Sequence, residues 1–199
     1  MSTHRSFRIA IAFALISGAP TVYAQEAARP DWKVGDTWTV GITTSGFGGA
    51  GRRDEVRVVK EVAESGYQVE NTKKESGATS VETLNFSRDL NLIAASQEFK
   101  WLQWPLEPGR AIEFEITGQN QVVTWKGKVV GWEDVEVPAG KFKALHLEFD
   151  RSGQMRGSAS ESVWYAPDPK AVVKRVQMRP GTQRSRDLIT YELVAYKLN

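Results

Sequence analysis

The 199-residue chain contains no cysteine. That excludes disulfides, thiolate metal sites, thiol nucleophiles and a thioether-linked lipid, so stability must come from the core alone. Histidine is almost as scarce, with only His4 and His146. Beyond the N-terminal segment a Cys/His metal centre is therefore ruled out, and a Ser-His-Asp arrangement would have to use His146 as its base. No G-x-S-x-G elbow accompanies that histidine. It lies in "ALHLE", on one strand parity with Phe142, Ala144 and Glu148, and reads as a sheet-face residue. An excess of one charge is missing too: 26 Lys and Arg stand against 24 Asp and Glu, and the surplus is Arg5 and Arg8 at the N-terminus. A nucleic-acid partner needs a basic face, so none is expected; Arg52-Arg53 and the Arg179–Arg186 stretch read as solvated loops. No helical stripe follows the first segment. The longest apolar run, "IAIAFALISGA" (9–19), is too short to span a bilayer.

What is present begins with an address. Arg5 and Arg8 precede that apolar run, and "VYA" (22–24) follows with residues that a signal peptidase accepts. The pattern predicts a secretory signal peptide over residues 1–24, cleaved after Ala24. The expected location is periplasmic or secreted, with no lipid anchor and no transmembrane segment in the mature chain. Residues 25–30 read as a flexible lead-in and 31–199 as a single antiparallel β domain.

From there the dominant period is two, the spacing of half-buried strands. Examples are "DTWTVGITT" (36–44), "EVRVVKEV" (55–62), "NLIAASQEF" (91–99), a long run from Gln121 to Val137, and "LITYELVAYKL" (188–198). Gly, Ser, Asn and Pro mark the breaks. The pattern predicts an all-β fold of about eleven antiparallel strands, a sandwich or a barrel, with little or no helix. In "VEVPAGKFKALHLEF" (135–149) two such runs flank a hairpin in which Gly140 is expected to take positive φ. Before it, Val123, Trp125, Val129, Val135 and Val137 share one parity, opposite Lys126, Lys128, Asp134 and Glu136. After it, Leu145, Leu147 and Phe149 share a face. One face is expected dry and one wet.

Four stretches together carry a resemblance: "WPLEPGRAIEFE" (104–115), "VEVPAGKFKALHLEF", "ESVWYAPDPKAVVKR" (161–175) and "YELVAYKL" (191–198). Over residues 104–198 the chain resembles TapB-like bacterial envelope proteins of unknown function. The resemblance implies a curved antiparallel sheet, a half-β-barrel or open barrel similar to the lipoprotein-carrier folds, whose concave face can hold lipid. It supplies no catalytic residues. Asp168-Pro169 stands where the family pattern more often has glycines.

Chemistry is otherwise sparse. Glu113 with Glu115 and Asp134 with Glu136 are same-face carboxylate pairs of the kind glycosidases use, but alternating charge is ordinary on a wet sheet face. "GFGGAGRR" (46–53) lacks the Lys-Ser/Thr of a phosphate loop and precedes a strand. No cofactor is implied. The one compositional excess is tryptophan: seven residues, roughly threefold the usual share. Trp132 shares the parity of Lys126, Lys128 and Asp134, so it faces away from the core unless Gly131 makes a bulge. The closing strand is apolar on both faces, which calls for a second cover: a loop, a partner or a ligand. These residues give a ligand-binding set of Trp104, Trp164, Tyr191 and Trp132. The resulting expectation is a non-catalytic binding or carrier module for a lipophilic or aromatic-stacking ligand. The alternative is a structural or interaction protein of the cell envelope with no small ligand, whose partner would be an envelope protein. A carboxylate hydrolase is the weakest reading.

Overall fold

Alternating apolar residues give strands that each need two neighbours and one buried face, and the chain supplies both by meandering. The computed structural model describes residues 27–46, 50–75, 77–118, 121–152, 159–180 and 186–199; the signal-peptide expectation for residues 1–24 lies outside them. Twelve strands follow one another: β1 (Thr37–Ser45), β2 (Gly51–Ala63), β3 (Gly66–Glu75), β4 (Ala78–Ser87), β5 (Leu92–Ala94), β6 (Gln97–Glu98), β7 (Ala111–Gly118), β8 (Gln121–Val137), β9 (Gly140–Ser152), β10 (Ala159–Ala166), β11 (Ala171–Pro180) and β12 (Arg186–Lys197). No helix occurs among the described residues.

All twelve form one antiparallel sheet in the order β6-β5-β4-β3-β2-β1-β12-β11-β10-β9-β8-β7. Every neighbour but one is a sequence neighbour; the exception, β1 against β12, joins the two ends of the domain. The sheet curls into a nearly closed barrel. Its two edges, β6 and β7, meet through a side chain: the Gln97 carboxamide donates to the Thr117 carbonyl and accepts from the Thr117 N–H. An amide side chain thus continues the ladder where the two-residue β6 ends, which leaves little open edge. The count exceeds the expected eleven because "NLIAASQEF" is two strands. Ala95 and Ser96 take φ of 49° and 61° and turn the chain back on itself between β5 and β6.

Bulges bend the long strands, and one of them reverses an expectation. In β8 the register against β9 shifts between Val129 and Gly131. Val123, Trp125 and Val129 therefore face the barrel interior, whereas Val135 and Val137 lie on the opposite face, against Phe142 and Gly140. The other three valines share the parity of Val129; the bulge separates Val135 and Val137 from it. Trp132 is carried to the barrel side, opposite the fully buried Leu145. The expected division into one dry and one wet face also fails here. On β9, Phe142, Ala144 and His146 are buried on one side, and Leu145, Leu147 and Phe149 on the other. The cover is the hairpin itself. Its end folds onto β12, where the Ala139 N–H donates to the Leu193 carbonyl at 3.0 Å and Phe142 meets the Tyr196 ring at 6.0 Å.

Gly140 closes that hairpin with φ of 132°. A Cβ placed there would meet nothing within 4 Å, so a side chain is opposed by backbone strain and not by sterics. Gly140→Val should cost about 1–2 kcal/mol in a denaturant melt. An unchanged melt would show that the hairpin relaxes to another turn.

The other device that positions the interior is the segment between β6 and β7. Leu102 and Leu106 are fully buried in it, each contributing roughly 1.5–3 kcal/mol of burial. The Asn91 side chain holds this segment by its backbone: its Nδ2 donates to the Leu102 carbonyl at 2.7 Å, and its Oδ1 accepts the Leu102 N–H at 2.8 Å. Ala27, within the stretch read as lead-in, is buried and bridges Leu106. The Asp168-Pro169 turn between β10 and β11 is anchored as well. Its Pro169 and Lys170 carbonyls accept the indole N–H groups of Trp38 (2.7 Å) and Trp32 (2.8 Å).

Candidate functional site

The barrel interior is apolar toward one end and charged toward the other, and a cavity of about 370 Å³ lies where the two meet. Residues directly opposite one another in an antiparallel pair share a face, so register assigns the walls. Trp38 faces Arg57, Val40 faces Glu55, and Arg57 faces Asn71. Across the barrel, Val163 faces Arg175 and Glu161 faces Gln177. The apolar wall includes Phe86, Phe99, Trp101, Trp125, Val163 and Val172. A smaller space of about 90 Å³, bordered by Trp32 and Trp38, shares Val40, Arg57, Phe86, Leu102 and Val172 with it. Cavities of this kind, mostly aromatic with a few convergent polar groups, are the usual small-molecule sites.

Trp101 is set into the interior by the Asn91-held segment. Its ring meets Phe114, Trp125 and Phe149 edge-on at 4.8, 4.7 and 5.0 Å. The Arg175 guanidinium lies between Trp101, 5.6 Å from the ring centre, and Tyr191 at 5.0 Å, a cation–π arrangement on both sides. Its Nε pairs with the Glu161 carboxylate. Glu161 also accepts from Gln177 Nε2 at 3.3 Å, and Gln177 Oε1 accepts from Arg179 Nε at 2.8 Å. Burial pushes the Glu161 carboxyl above the ordinary glutamate range, against the opposing pull of Arg175, Arg179 and Gln177.

A second buried carboxylate stands on β2. Glu55 pairs with Arg57 at 2.9 Å and Arg53 at 3.2 Å and accepts from Asn71 at 3.3 Å. Burial works to raise its pKa, but Arg57 above all, with Arg53 and Asn71, holds it below the ordinary value. Both acids are held by arginines. Among the residues that line the cavity, the charged ones are Arg57, Arg175 and Arg179, and none is a carboxylate.

Of the four residues expected to bind ligand, the structure places Tyr191 on the cavity wall. Trp104 is half-buried against the fully buried Tyr165, ring centres 5.1 Å apart, and its indole donates to the Asp89 carbonyl at 3.2 Å. Trp132 packs beside the bulge of β8. Trp164 lies on the outer face, stacked on His146 at 4.5 Å and 6°. The His146 Nδ1 meets the Glu133 carboxylate, and Lys174 stands 5.9 Å over the Trp164 ring. The four are thus not brought together. The same-face carboxylates form solvated ion pairs: Glu113 with Lys126 at 3.3 Å and Glu136 with Lys141 at 3.4 Å. Sequence reasoning missed Trp101, Trp125, Arg57 and Arg175 as cavity residues. The available signal was the tryptophan excess together with arginines alternating with valines in "EVRVV" and "VVKRV".

A family model described as "Protein of unknown function (DUF3108)" matches residues 89–184. The match spans β5 to β11, including the Trp101 segment and the bulged hairpin, and stops before the closing strand. No curated protein matches the chain. Among solved structures, the chain is similar to an exported protein with a YmcC-like fold from Bacteroides fragilis NCTC 9343, with a TM-score of 0.50 and 15% identity over 83% of this chain and 97% of that one. It is also similar to a lipoprotein from Parabacteroides distasonis ATCC 8503, with a TM-score of 0.45 and 12% identity over 83% and 96%. A third is the lipoprotein YmcC of Escherichia coli, with a TM-score of 0.38 and 10% identity over 77% and 83%. The first of these shows the fold, a YmcC-like barrel. The matches carry DUF3108 and YmcC-like names, not the TapB-like one.

Proposed function

We propose that the protein is an exported, non-catalytic binding module of the cell envelope that takes an apolar or aromatic-stacking ligand into its barrel. The observation that carries this reading is the cavity of about 370 Å³, walled by Trp101, Trp125 and Phe86. Export is supported by the N-terminal signal pattern and by the description of the Bacteroides fragilis structure as an exported protein. A TapB-like envelope role, implied by the motifs over 104–198, is compatible with such a module.

Because Trp101 and Trp125 border the space, ligand entry should move tryptophan emission to the blue. The test adds a neutral apolar dye and 1-octanol to the purified protein and follows emission, with native mass spectra taken in parallel. A saturable shift with one ligand per chain supports the reading. If emission does not respond and the mass spectra show only the unliganded chain, the carrier reading fails and an envelope protein without small ligand replaces it.

A further inference from the structure

The charge of the cavity wall narrows the ligand. Three guanidiniums, those of Arg57, Arg175 and Arg179, border a space that no carboxylate borders. Their counter-ions, Glu55 and Glu161, do not border it. Glu55 is shared by Arg53 and Arg57, and Glu161 is held by Arg175 and Gln177. Arg179 has no carboxylate within ion-pair distance among the described residues; its Nε donates to the Gln177 amide oxygen. The inner face at this end therefore presents more cation than its own acids neutralise, next to a wall of aromatic rings.

Resting on the cavity reading above, we propose that the occupant is an amphiphile with a single oxyanion head. Its apolar body lies along Trp101, Trp125 and Phe86, and its head lies against Arg175 and Arg179. A guanidinium offers a planar, forked set of donors that matches a carboxylate or a phosphate. Arg175 is already oriented by Trp101, Tyr191 and Glu161, so little side-chain freedom remains to be lost on binding. A neutral alcohol of the same length would fill the apolar wall and leave the guanidiniums unmatched. An ammonium would face three like charges.

The test titrates the full chain with octanoate, octyl phosphate, 1-octanol and octylammonium, reading tryptophan emission and calorimetric heat. Octanoate or octyl phosphate should bind at least about tenfold more tightly than 1-octanol. Raising the salt should weaken the anions several-fold and leave the alcohol unchanged. Preference between the two anions assigns the head as carboxylate or phosphate, and either result supports the proposal. Arg179→Gln, at an exposed side chain that donates to an amide oxygen, should cut the anion-over-alcohol ratio about threefold. Arg175→Gln combined with Glu161→Gln removes cation and buried acid together and should bring the ratio close to one. Equal binding of octanoate and 1-octanol, or tighter binding of octylammonium, overturns the oxyanion head while leaving the apolar cavity intact. If none of the four binds, the cavity reading falls and takes this inference with it.

Discussion

Arg175→Met should lower folding stability by about 3–5 kcal/mol at neutral pH, the usual effect of removing one partner from a buried ion pair. Methionine keeps much of the apolar stem that lies between Trp101 and Tyr191, so lost packing is a minor part of the expected effect. The larger part is electrostatic. Glu161 is fully buried, and without Arg175 its nearest remaining partner is the Gln177 amide. The pH dependence separates the two contributions. Burial already raises the Glu161 pKa in the folded protein, and losing Arg175 raises it further. A carboxyl whose folded pKa exceeds its unfolded value binds more protons in the folded state. Its effect on stability is therefore most favourable below the unfolded value near 4.5 and declines as pH rises through the folded value. The penalty of Arg175→Met should accordingly be smallest at acidic pH and grow toward neutrality. Glu55 and Glu82 behave in the opposite sense. Their folded pKa values are lowered, so their contribution is present above 4.5 and is lost as the pH falls through those lowered values. Comparing the variant with the wild-type chain at each pH cancels them. Denaturant midpoints between pH 4 and 8 measure the difference. A penalty independent of pH would mean that Glu161 does not depend on Arg175 for its charge.

Arg175 also shows why the fold was legible in the sequence and the cavity was not. Strand existence follows from period two and from turn residues, both local, and the long run from Gln121 to Val137 emerges as β8 with those bounds. Which parity faces inward is decided by pairing. On β2 the hydrophobic residues Val56 and Val58 suggest an inner face, yet Arg57 pairs with the buried Trp38 and Glu55 with Val40. On β11 the inward residues are Arg175 and Gln177, while Val176 faces Thr190 on the outer side. At its charged end the barrel reverses the rule of apolar inside, and reversals of that kind mark function more often than packing. Bulges hide the rest. The register shift at Val173 and the one at Val130 each move a strand's remaining residues to the other face, so simple parity misplaces Val135 and Val137 in β8. Trp164 and Trp101 illustrate a further limit. Both are tryptophans in β-rich surroundings, but Trp164 is fixed to the outer face by its strand. Trp101 reaches the interior from a segment with no strand period, placed there by the Asn91 clamp on the adjacent Leu102, across the short β5–β6 turn.

Phe149→Ala should cost about 3–5 kcal/mol, the range for deleting a buried aromatic ring. Phe149 is nearly inaccessible and stands edge-on to Trp101 at 5.0 Å and to Phe114 at 6.3 Å. Its loss removes both aromatic contacts and opens a void beside the Trp101 ring. Its register partner on β8 is Gly127, and that glycine is required by close approach. A Cβ at Gly127 would stand 2.2 Å from Phe149 Cδ1 and 2.4 Å from the Glu148 carbonyl oxygen, both far inside van der Waals contact. Gly127→Ala should therefore be severely destabilising in the wild-type chain, because the ring would have to leave its position and the backbone carbonyl would have to shift. The pair should be strongly coupled. With Phe149 already reduced to alanine, the ring clash disappears and the added methyl fills part of the void, so Gly127→Ala should then cost clearly less than it does alone. The Glu148 carbonyl remains in the way, so compensation should be incomplete. Thermal or denaturant melts of the two single variants and the double variant measure the coupling. Additive effects would mean that the Phe149 ring does not rest on Gly127, and the packing that shapes this side of the cavity would have to be drawn differently.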